Sequence, residues 1–303
     1  MNKTKASLLL LIVAGSWMHT SAADKKTNLP ESQNIPIATQ ALLDGVKSPE
    51  SKGVIKSVLM IQCPKDNGKG TGFVLSVGGI VTTNSHVVGS CTAEQLVGIS
   101  GVSTELVKFV SMEKDPNRDL ALLCPTRPLP FNLTLNADEN PPVGTEVETW
   151  GYPLHYQDPA PVLSRGYVAG YTVGKDSSGH PKNPLVRHLI VNGTLNPGNS
   201  GGPLVDHVTG KVIGVVVEKW MLYSPLVESV ITGLEHSPTY TGGGFQERDA
   251  NGVVRGISNE MAVAEALKEI YDKSQVMIGE AISVSELNAF IAEKRQTLGC
   301  AVH

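Results

Sequence analysis

One serine, one histidine and one aspartate stand in sequence contexts that could support nucleophilic chemistry. Ser200 lies inside the glycine-rich stretch NPGNSGGPLV, His86 lies in TTNSHVV, and Asp119 opens the apolar run DLALLC. A serine hydroxyl is a poor nucleophile at neutral pH, so it needs a base, and the base needs a partner that fixes its tautomer. The chain order His, Asp, Ser is one of the orders in which such triads occur. Together the three residues predict acyl-transfer chemistry.

The glycines around Ser200 suggest how a developing negative charge could be stabilised. Glycine adopts backbone angles that are closed to other residues. The amides of Gly198 and Ser200 could therefore point together at one oxyanion. The alternative interpretation is a tight glycine turn before the PLV strand, with no chemical role.

Two aspartates are candidates for the partner of His86. Asp119 begins an apolar strand, as a carboxylate buried behind a histidine should. Asp115 stands beside Pro116 in a stretch typical of an exposed turn, so we prefer Asp119. The alternatives are that His86 is packed at a strand end and that Asp119 is a solvated turn residue.

Short β-branched runs separated by Gly, Asn and Asp must position these residues. Five runs (54–63, 70–75, 78–88, 102–110 and 119–124) precede a proline-rich connector at 125–142, and five (145–152, 165–173, 186–194, 202–206 and 211–217) follow it. Such spacing is typical of an antiparallel barrel or sandwich. Two series around one joint predict two similar β-domains, although no sequence repeat links them.

The ends of the chain and one internal segment depart from this strand pattern. Residues 24–49 are polar and indicate a flexible lead or short propeptide, with a brief helical turn near 41–43. Residues 220–277 combine a loose glycine-rich stretch with the helical pattern SNEMAVAEALKEIYDKS, and residues 278–282 return to strand character. A final helix is predicted from the capping-box pair Ser283 and Glu286 and from Gly299 just past its end. Its apolar stripe is Val284, Leu287, Phe290 and Ile291.

The composition and the N-terminal residues limit the classes of protein to which this chain can belong. The chain has 303 residues, a net charge of -4 and no basic run, which argues against a nucleic-acid partner. Lys3 and Lys5, the apolar run 8–14 and the small residues 21–23 predict a secretory signal peptide, with a membrane anchor as the alternative. We expect no membrane span in the mature chain and a periplasmic or secreted location.

Four cysteines suit an oxidising compartment. Disulfides are the favoured interpretation, buried free thiols are the alternative, and the residues alone leave three pairings open. No Cys or His spacing indicates a metal site, and we expect neither a metal nor a cofactor. The cysteines are Cys63, Cys91, Cys124 and Cys300.

Six motifs give the sequence a specific resemblance. They are GTGFV (70–74), TNSHVV (83–88), RDLALL (118–123), GYP (151–153), NPGNSGGPL (196–204) and IGEAI (278–282). The chain resembles the chymotrypsin/trypsin-fold serine peptidases, most of all the protease domain of the bacterial Deg/HtrA group. The match covers about 53–217 and resumes at 278.

The resemblance implies an all-β fold of two six-stranded antiparallel barrels with the triad in the cleft between them. His86 and Asp119 would come from the first barrel and Ser200 from the second, with Gly198 and Ser200 supplying the oxyanion-hole amides. Asn199 stands where digestive members carry an aspartate that grips a newly cut N-terminus. Asparagine cannot form that ion pair, so we expect activation that does not use an inserted N-terminus.

The same resemblance suggests boundaries and departures. We expect a signal peptide (1–23), a flexible segment (24–50), a first barrel (51–130), a second barrel (131–220 and 276–283), an insertion (221–275) and a C-terminal helix (284–303). The PDZ domains of Deg/HtrA proteins are not expected here. The insertion is longer than the loop of the family at this position, which borders the specificity pocket. It could gate the pocket or be a passive surface feature.

The pocket residues and the pairing of the cysteines are implied only by the resemblance. The pocket would include Thr194, Val217 and Ile278, none of them charged, which favours cleavage after a small or medium aliphatic residue; Glu218 and Lys219 at the rim could alter this. The implied disulfides are Cys63–Cys91 and Cys124–Cys300.

The leading hypothesis is a serine endopeptidase that acts on protein or peptide substrates outside the cytoplasm. The alternatives are a latent protease and a non-catalytic binding protein that uses 220–277 as its recognition surface. We do not favour a single-domain esterase. The sequence leaves the oligomeric state open.

Overall fold

The computed structural model of the protein describes residues 36–300 except 104–105, 155, 157, 176–179, 183, 220–229, 231–232, 235–243, 249–253 and 274–277. Its α-helices are α1 (Ile37–Gly45), α2 (Pro49–Ser57), α3 (Ser85–Val88), α4 (Asn259–Lys273) and α5 (Val284–Leu298). Its strands are β1 (Val58–Cys63), β2 (Gly68–Val74), β3 (Val81–Thr83), β4 (Val97–Ser100), β5 (Leu106–Val107), β6 (Phe109–Asp115), β7 (Leu120–Pro125), β8 (Glu146–Gly151), β9 (Val162–Val173), β10 (Arg187–Gly193), β11 (Pro203–Asp206), β12 (Val212–Lys219), β13 (Gly244–Arg248), β14 (Val254–Ser258) and β15 (Ile278–Ser283).

The first sheet carries the histidine and aspartate candidates. Its seven strands lie in the order β5-β4-β1-β2-β3-β7-β6, and every pair is antiparallel. Leu59, Ile61, Val81, Phe109 and Leu123 belong to the buried cluster of this sheet. The sheet is open and does not close into a barrel, because among the described strands β5 pairs only with β4 and β6 only with β7.

The second sheet carries the serine candidate and closes on itself. Its six strands follow the order β10-β15-β12-β11-β8-β9. Val147, Leu189, Leu204 and Ile213 point into its separate core. The all-β, trypsin-like architecture is thereby confirmed, with the difference that only the second sheet is a closed six-stranded barrel.

A third apolar cluster joins the two sheets and the helices. It contains side chains from α2, from both sheets and from α5, for example Ile55, Phe73, Trp150, Val215 and Phe290. All five are almost fully buried. Burial of apolar surface at this junction fixes the two sheets, and with them the candidate site residues, against each other.

The described residues before β1 include two helices. Ser48 caps α2 by accepting a hydrogen bond of 3.1 Å from the amide of Ser51, and Pro49 occupies the first helical position, where its missing N–H is not needed. Val54 and Ile55 are fully buried. The predicted strand 54–63 is therefore wrong over 54–57 and begins at Val58. Helix α1 covers the helical turn expected near 41–43, within the segment for which we expect a flexible lead.

Two other predicted strands of the first sheet are interrupted. The run 78–88 contains the short strand β3 and then helix α3, closed by a hydrogen bond from the Gly89 amide to the Ser85 carbonyl. The run 102–110 is divided between β5 and β6, and β4 was not predicted. Only neighbouring strands decide where such short apolar runs pair, since periodicity alone does not.

The last part of the chain follows its predicted pattern with two corrections. Ser283 caps α5 through the amide of Ser285, and Gly299 ends it in the left-handed conformation, as predicted. Glu286 does not complete the predicted capping box but binds Arg118 and the amide of Arg187.

The glycine-rich part of 220–277 contains the hairpin β13–β14, and α4 confirms the predicted helix. No helix in the described part of the chain has the length and apolarity that a membrane crossing requires. The domain boundaries stay predictions.

Candidate active site

Helix α3 holds His86 at the surface. Asn84 precedes the helix in extended conformation, and Val87 and Val88 anchor it by burial in the first core. The His86 side chain is 50% exposed. The first sheet thus fixes the backbone of α3 and leaves the imidazole open to solvent on one side.

Asp119 holds both the imidazole and the backbone of His86. Its Oδ2 lies 2.7 Å from Nδ1 of His86, and its Oδ1 accepts a hydrogen bond of 3.0 Å from the His86 amide. Its backbone carbonyl accepts hydrogen bonds from Nδ2 of Asn84 at 2.9 Å and from the amide of Ser85 at 3.2 Å. The carboxylate is mostly buried, and this arrangement directs the proton of the neutral imidazole to Nδ1.

The structure separates the two aspartates that the sequence offered. Asp115 accepts hydrogen bonds from the amides of Asn117 and Arg118 and forms a 2.7 Å ion pair with the Arg118 guanidinium. It therefore stabilises a turn. Asp119 is the aspartate that faces His86, in agreement with the sequence-based preference.

Two glycines let the loop around Ser200 approach its neighbours closely. Gly198 has φ of +96°, and a Cβ there would collide with the backbone of Tyr152, Pro153 and Leu154. Gly201 has φ of +82°, and a Cβ there would collide with Thr71 and Thr83 and lie 2.9 Å from the Asn84 amide. Only glycine fits positions with both a positive φ and backbone at this distance.

Thr71 connects β2 to this loop at two points and to the segment after β8 at a third. Its amide donates to the Ser200 carbonyl at 2.8 Å, and its hydroxyl donates to the Gly198 carbonyl at 2.7 Å. The same hydroxyl accepts a hydrogen bond of 3.0 Å from the Tyr152 amide. Thr71 is fully buried, so these bonds fix the loop against the first sheet in a site that excludes water.

The amides proposed for an oxyanion hole are not used within the loop. Asn199, Gly201 and Gly202 donate their amides to the carbonyls of Asn196, Val216 and Asn199. Among the hydrogen bonds between described residues, none has the amide of Gly198 or Ser200 as its donor. Neither of these two N–H groups is therefore committed to a described partner.

The loop containing Ser200 contacts the segments that carry His86. Gly70 of β2 is packed so closely that a Cβ there would meet both the Val87 side chain and, at 3.0 Å, the Ser200 carbonyl. Gly201 lies against Asn84, the residue before α3. The fold thus brings the three predicted triad residues to one junction between the two sheets.

Asn199 points away from solvent. It is fully buried, its Nδ2 donates to the Ser164 hydroxyl at 3.5 Å, and its side chain lies against Gly151. Its Oδ1 has no hydrogen-bond partner among the described residues. The expectation that no N-terminal ammonium binds here stays a prediction.

The loop after β8 supports the serine loop from the other side. The Leu154 amide donates to the Pro197 carbonyl at 2.7 Å. Nζ of Lys69 donates to the carbonyls of Pro153 and Tyr156 at 3.3 and 2.8 Å, and burial lowers the pKa of Lys69. Burial raises the pKa of Tyr152, which keeps this phenol neutral between the two sheets.

The predicted pocket residues lie at the ends of three adjacent strands. Thr194 follows β10, Ile278 opens β15 opposite Asn192, and Val217 lies in β12 at an irregularity opposite β15. All three are half-buried. Their role in a pocket stays a prediction. The side chains of Glu218 and Lys219, and most of 220–277, lie outside the described residues.

Both predicted disulfides are present. Cys63 of β1 is joined to Cys91 after α3, with Cα atoms 5.8 Å apart, and Cys124 of β7 is joined to Cys300 after α5, with Cα atoms 5.4 Å apart. The first disulfide links β1 to the residues that follow helix α3, which carries His86. Across the described ranges, no three His, Cys, Asp or Glu side chains are placed to hold a metal ion.

Sequence reasoning missed the side chains that position the candidate site. Thr71 and Asn84 stand inside the motifs GTGFV and TNSHVV, but their hydrogen bonds to Gly198 and Asp119 span 127 and 35 residues of chain. Their place inside these motifs was the available sequence signal, and it does not indicate partners so far away along the chain.

Comparison with known proteins relates a part of this chain to a protein family. Residues 70–215 match the family model described as trypsin-like peptidase domain. Uncharacterized protein y4bJ of Sinorhizobium fredii is 33% identical over 150 residues, which are 50% of this chain and 22% of that protein. A probable periplasmic serine endoprotease DegP-like of Pseudomonas fulva is 33% identical over 147 residues, which are 48% of this chain and 28% of that protein. The chain thus spans about a quarter of the length of these relatives. Its residues 70–215 are a trypsin-like peptidase domain, homologous to the DegP-like proteases.

A solved structure agrees with this assignment at the level of the fold. The Rv3671c protease from M. tuberculosis, crystallised in its active form, superimposes with a TM-score of 0.54 at 22% identity. The similarity covers 93% of this chain and 96% of that chain. It shows a shared fold that extends beyond residues 70–215.

Proposed function

We propose that the protein is a serine endopeptidase that works through an acyl-enzyme. The Ser200 hydroxyl attacks the carbonyl of a peptide bond, and His86 accepts its proton and returns it to the leaving amine. Asp119 orients the imidazole and stabilises the imidazolium. The amides of Gly198 and Ser200 donate to the oxyanion, and water then releases the acyl group.

The observation that carries this proposal is the double hold of Asp119 on His86. One carboxylate oxygen is bonded to Nδ1 and the other to the His86 amide, so the ring cannot rotate without breaking a charge-assisted bond. A histidine held at Nδ1 presents Nε2 as the base. The two unused amides beside Ser200 support the same role.

We further propose that cleavage follows small or medium aliphatic residues. The support is the uncharged character of Thr194, Val217 and Ile278 at the barrel edge. Such a pocket discriminates weakly, by about one order of magnitude per methylene group. A library of peptides would show this preference directly, whereas dominant cleavage after Arg or Lys would contradict it.

An extracytoplasmic location fits three observations. Two disulfides persist in oxidising compartments, the first residues have the pattern of a signal peptide, and the Pseudomonas fulva relative is named periplasmic. Expression with the full N-terminus, followed by fractionation and sequencing of the mature N-terminus, tests the location. Retention of Met1 in a cytoplasmic fraction would contradict it.

A fluorophosphonate probe tests the activity itself. We expect covalent labelling of Ser200 that disappears in Ser200→Ala and in His86→Ala. Cleavage-site profiling of the purified chain, with Ser200→Ala as the control, then gives the specificity. If the folded wild-type chain is neither labelled nor active on any peptide, the protein is a binding protein built on a protease fold.

A further inference from the structure

Arg118, the residue before Asp119, binds three carboxylates. Its guanidinium forms a two-pronged ion pair with Glu293, with Nη1 and Nη2 at 2.9 and 2.8 Å from the two oxygens. Nη1 also lies 2.7 Å from Oδ2 of Asp115, and Nε lies 3.3 Å from Oε2 of Glu286. Glu286 and Glu293 both belong to α5, so Arg118 ties the turn before Asp119 to the C-terminal helix.

This cluster is more rigid than an ordinary surface ion pair. The side chains of Arg118, Asp115 and Glu286 are 17%, 20% and 14% exposed, although Glu293 is half exposed. The hydrogen bonds that the Arg118 guanidinium donates to Glu293 raise its pKa above the usual range. A planar guanidinium held in a fork by several carboxylates keeps its orientation, whereas an ammonium does not.

The turn itself has little freedom. Oδ1 of Asp115 accepts hydrogen bonds from the amides of Asn117 and Arg118 at 2.9 and 3.1 Å. Nδ2 of Asn117 donates to the Pro184 carbonyl at 3.3 Å. The backbone that leads into Asp119 is therefore fixed by side chains on both of its flanks.

Asp119 needs such support, because its own backbone is unfavourable. Its φ is +56°, in the left-handed region that non-glycine residues seldom adopt. Conformations of this kind cost about 1–3 kcal/mol and persist only where surrounding contacts impose them. Asn84, Ser85 and His86 hold Asp119 from one side, and the preceding turn joins it from the other.

Glu286 extends the network to the second sheet. Its Oε1 accepts a hydrogen bond of 2.9 Å from the amide of Arg187, the first residue of β10, while its Oε2 faces Arg118. The turn before Asp119, the helix α5 and the start of β10 thus meet at one carboxylate. This explains why Glu286 does not serve as the second half of a capping box.

We propose that Arg118 is a positioning residue, which acts through the α5 carboxylates Glu286 and Glu293 to keep Asp119 in the left-handed conformation that bonds His86. The proposal rests on the proposed function, because it assigns Arg118 to the orientation of the His86–Asp119 pair. It predicts that a change at Glu293, about two and a half turns into α5, alters the chemistry at His86.

Arg118→Lys is the direct test, since it keeps the charge and removes the fork. We expect kcat to fall by about tenfold to a hundredfold, as for a small misplacement of a catalytic group, with little change in KM. We also expect the pKa of His86, followed by NMR titration, to decrease, because a weaker bond to Asp119 stabilises the imidazolium less. Glu293→Gln should change both quantities in the same direction but less.

Lys294→Gln is the matched control. It removes a 3.7 Å ion pair with Glu113 from the same helix, one residue from Glu293, and should alter neither kcat nor the His86 pKa. The charged groups near the Arg118 head are Asp115, Glu286 and Glu293, so all titrations are compared at one ionic strength. Circular dichroism and thermal unfolding establish that each variant is folded.

The outcomes separate cleanly. A folded Arg118→Lys with unchanged kcat and unchanged His86 pKa overturns the proposal, as does an increase in KM alone. If Arg118→Lys does not fold, Glu293→Gln decides by the same two measurements. If the wild type is never labelled at Ser200, the proposed function fails, while the His86 pKa of the variants still decides whether Arg118 positions Asp119.

Discussion

Replacing Thr71 by valine tests whether β2 holds the serine loop in place. Valine has nearly the same volume, so the core stays filled, but the hydroxyl that bonds Gly198 and Tyr152 is lost. The Gly198 carbonyl and the Tyr152 amide then lose that partner in a fully buried site. An unsatisfied buried group costs about 1–3 kcal/mol, so for the two groups together we expect a loss of roughly 2–6 kcal/mol in the free energy of unfolding.

The same substitution should slow the chemistry. The Thr71 hydroxyl fixes the peptide that follows Gly198, and with it the direction of the amides beside Ser200. Loss of one oxyanion donor lowers kcat by about 10²–10³, so partial misalignment should lower the rate of fluorophosphonate labelling by about tenfold to a hundredfold. Urea unfolding and the labelling rate measure the two effects in one preparation.

Thr82→Val is a control of the same chemistry in the neighbouring strand β3. Thr82 is fully buried, and its hydroxyl has no hydrogen-bond partner among the described residues. Replacing an unsatisfied hydroxyl by a methyl group should leave stability unchanged or increase it by about 1 kcal/mol, with no effect on labelling. The reasoning is refuted if Thr71→Val behaves like Thr82→Val, or if it loses stability but labels at the wild-type rate.

Two further predictions concern disulfides and pH. Loss of Cys124–Cys300, whose partners are 176 positions apart in sequence, should destabilise the protein by about 5 kcal/mol through loop-closure entropy. Loss of Cys63–Cys91, whose partners are 28 positions apart, should cost about 3.6 kcal/mol for the same reason. Equal unfolding midpoints for the two double serine variants would contradict this order. Hydrogen bonds from the side chain and amide of Ser90 lower the pKa of Asp66, so its stabilising contribution exists above its unfolded pKa and disappears as pH falls through the lower folded one. Ser90→Ala should raise the pKa of Asp66 toward its ordinary value in an NMR titration, and an unchanged titration would show that the hydroxyl does not contribute.

Local patterns were sufficient for several parts of the fold and candidate site. The α5 cap at Ser283, the left-handed Gly299 and the pairing of Asp119 with His86 agree with the sequence-based predictions, because each depends on residue types within a few positions or on motif context. The strand series identified the two sheets for the same reason. Helix α2 was mistaken for strand over 54–57, since apolar β-branched residues fit either element until tertiary burial selects one.

What the sequence alone determined is the set of candidate residues: a serine among glycines, a histidine after a strand and an aspartate before one, with four cysteines that can pair. What only the tertiary structure decided is which contacts hold these residues in place. Glu286 matches a capping box in sequence, yet it binds Arg118, 168 residues away, because the fold places this guanidinium beside it. No local pattern encodes that a distant guanidinium will lie near this carboxylate and form a charge-assisted bond with it.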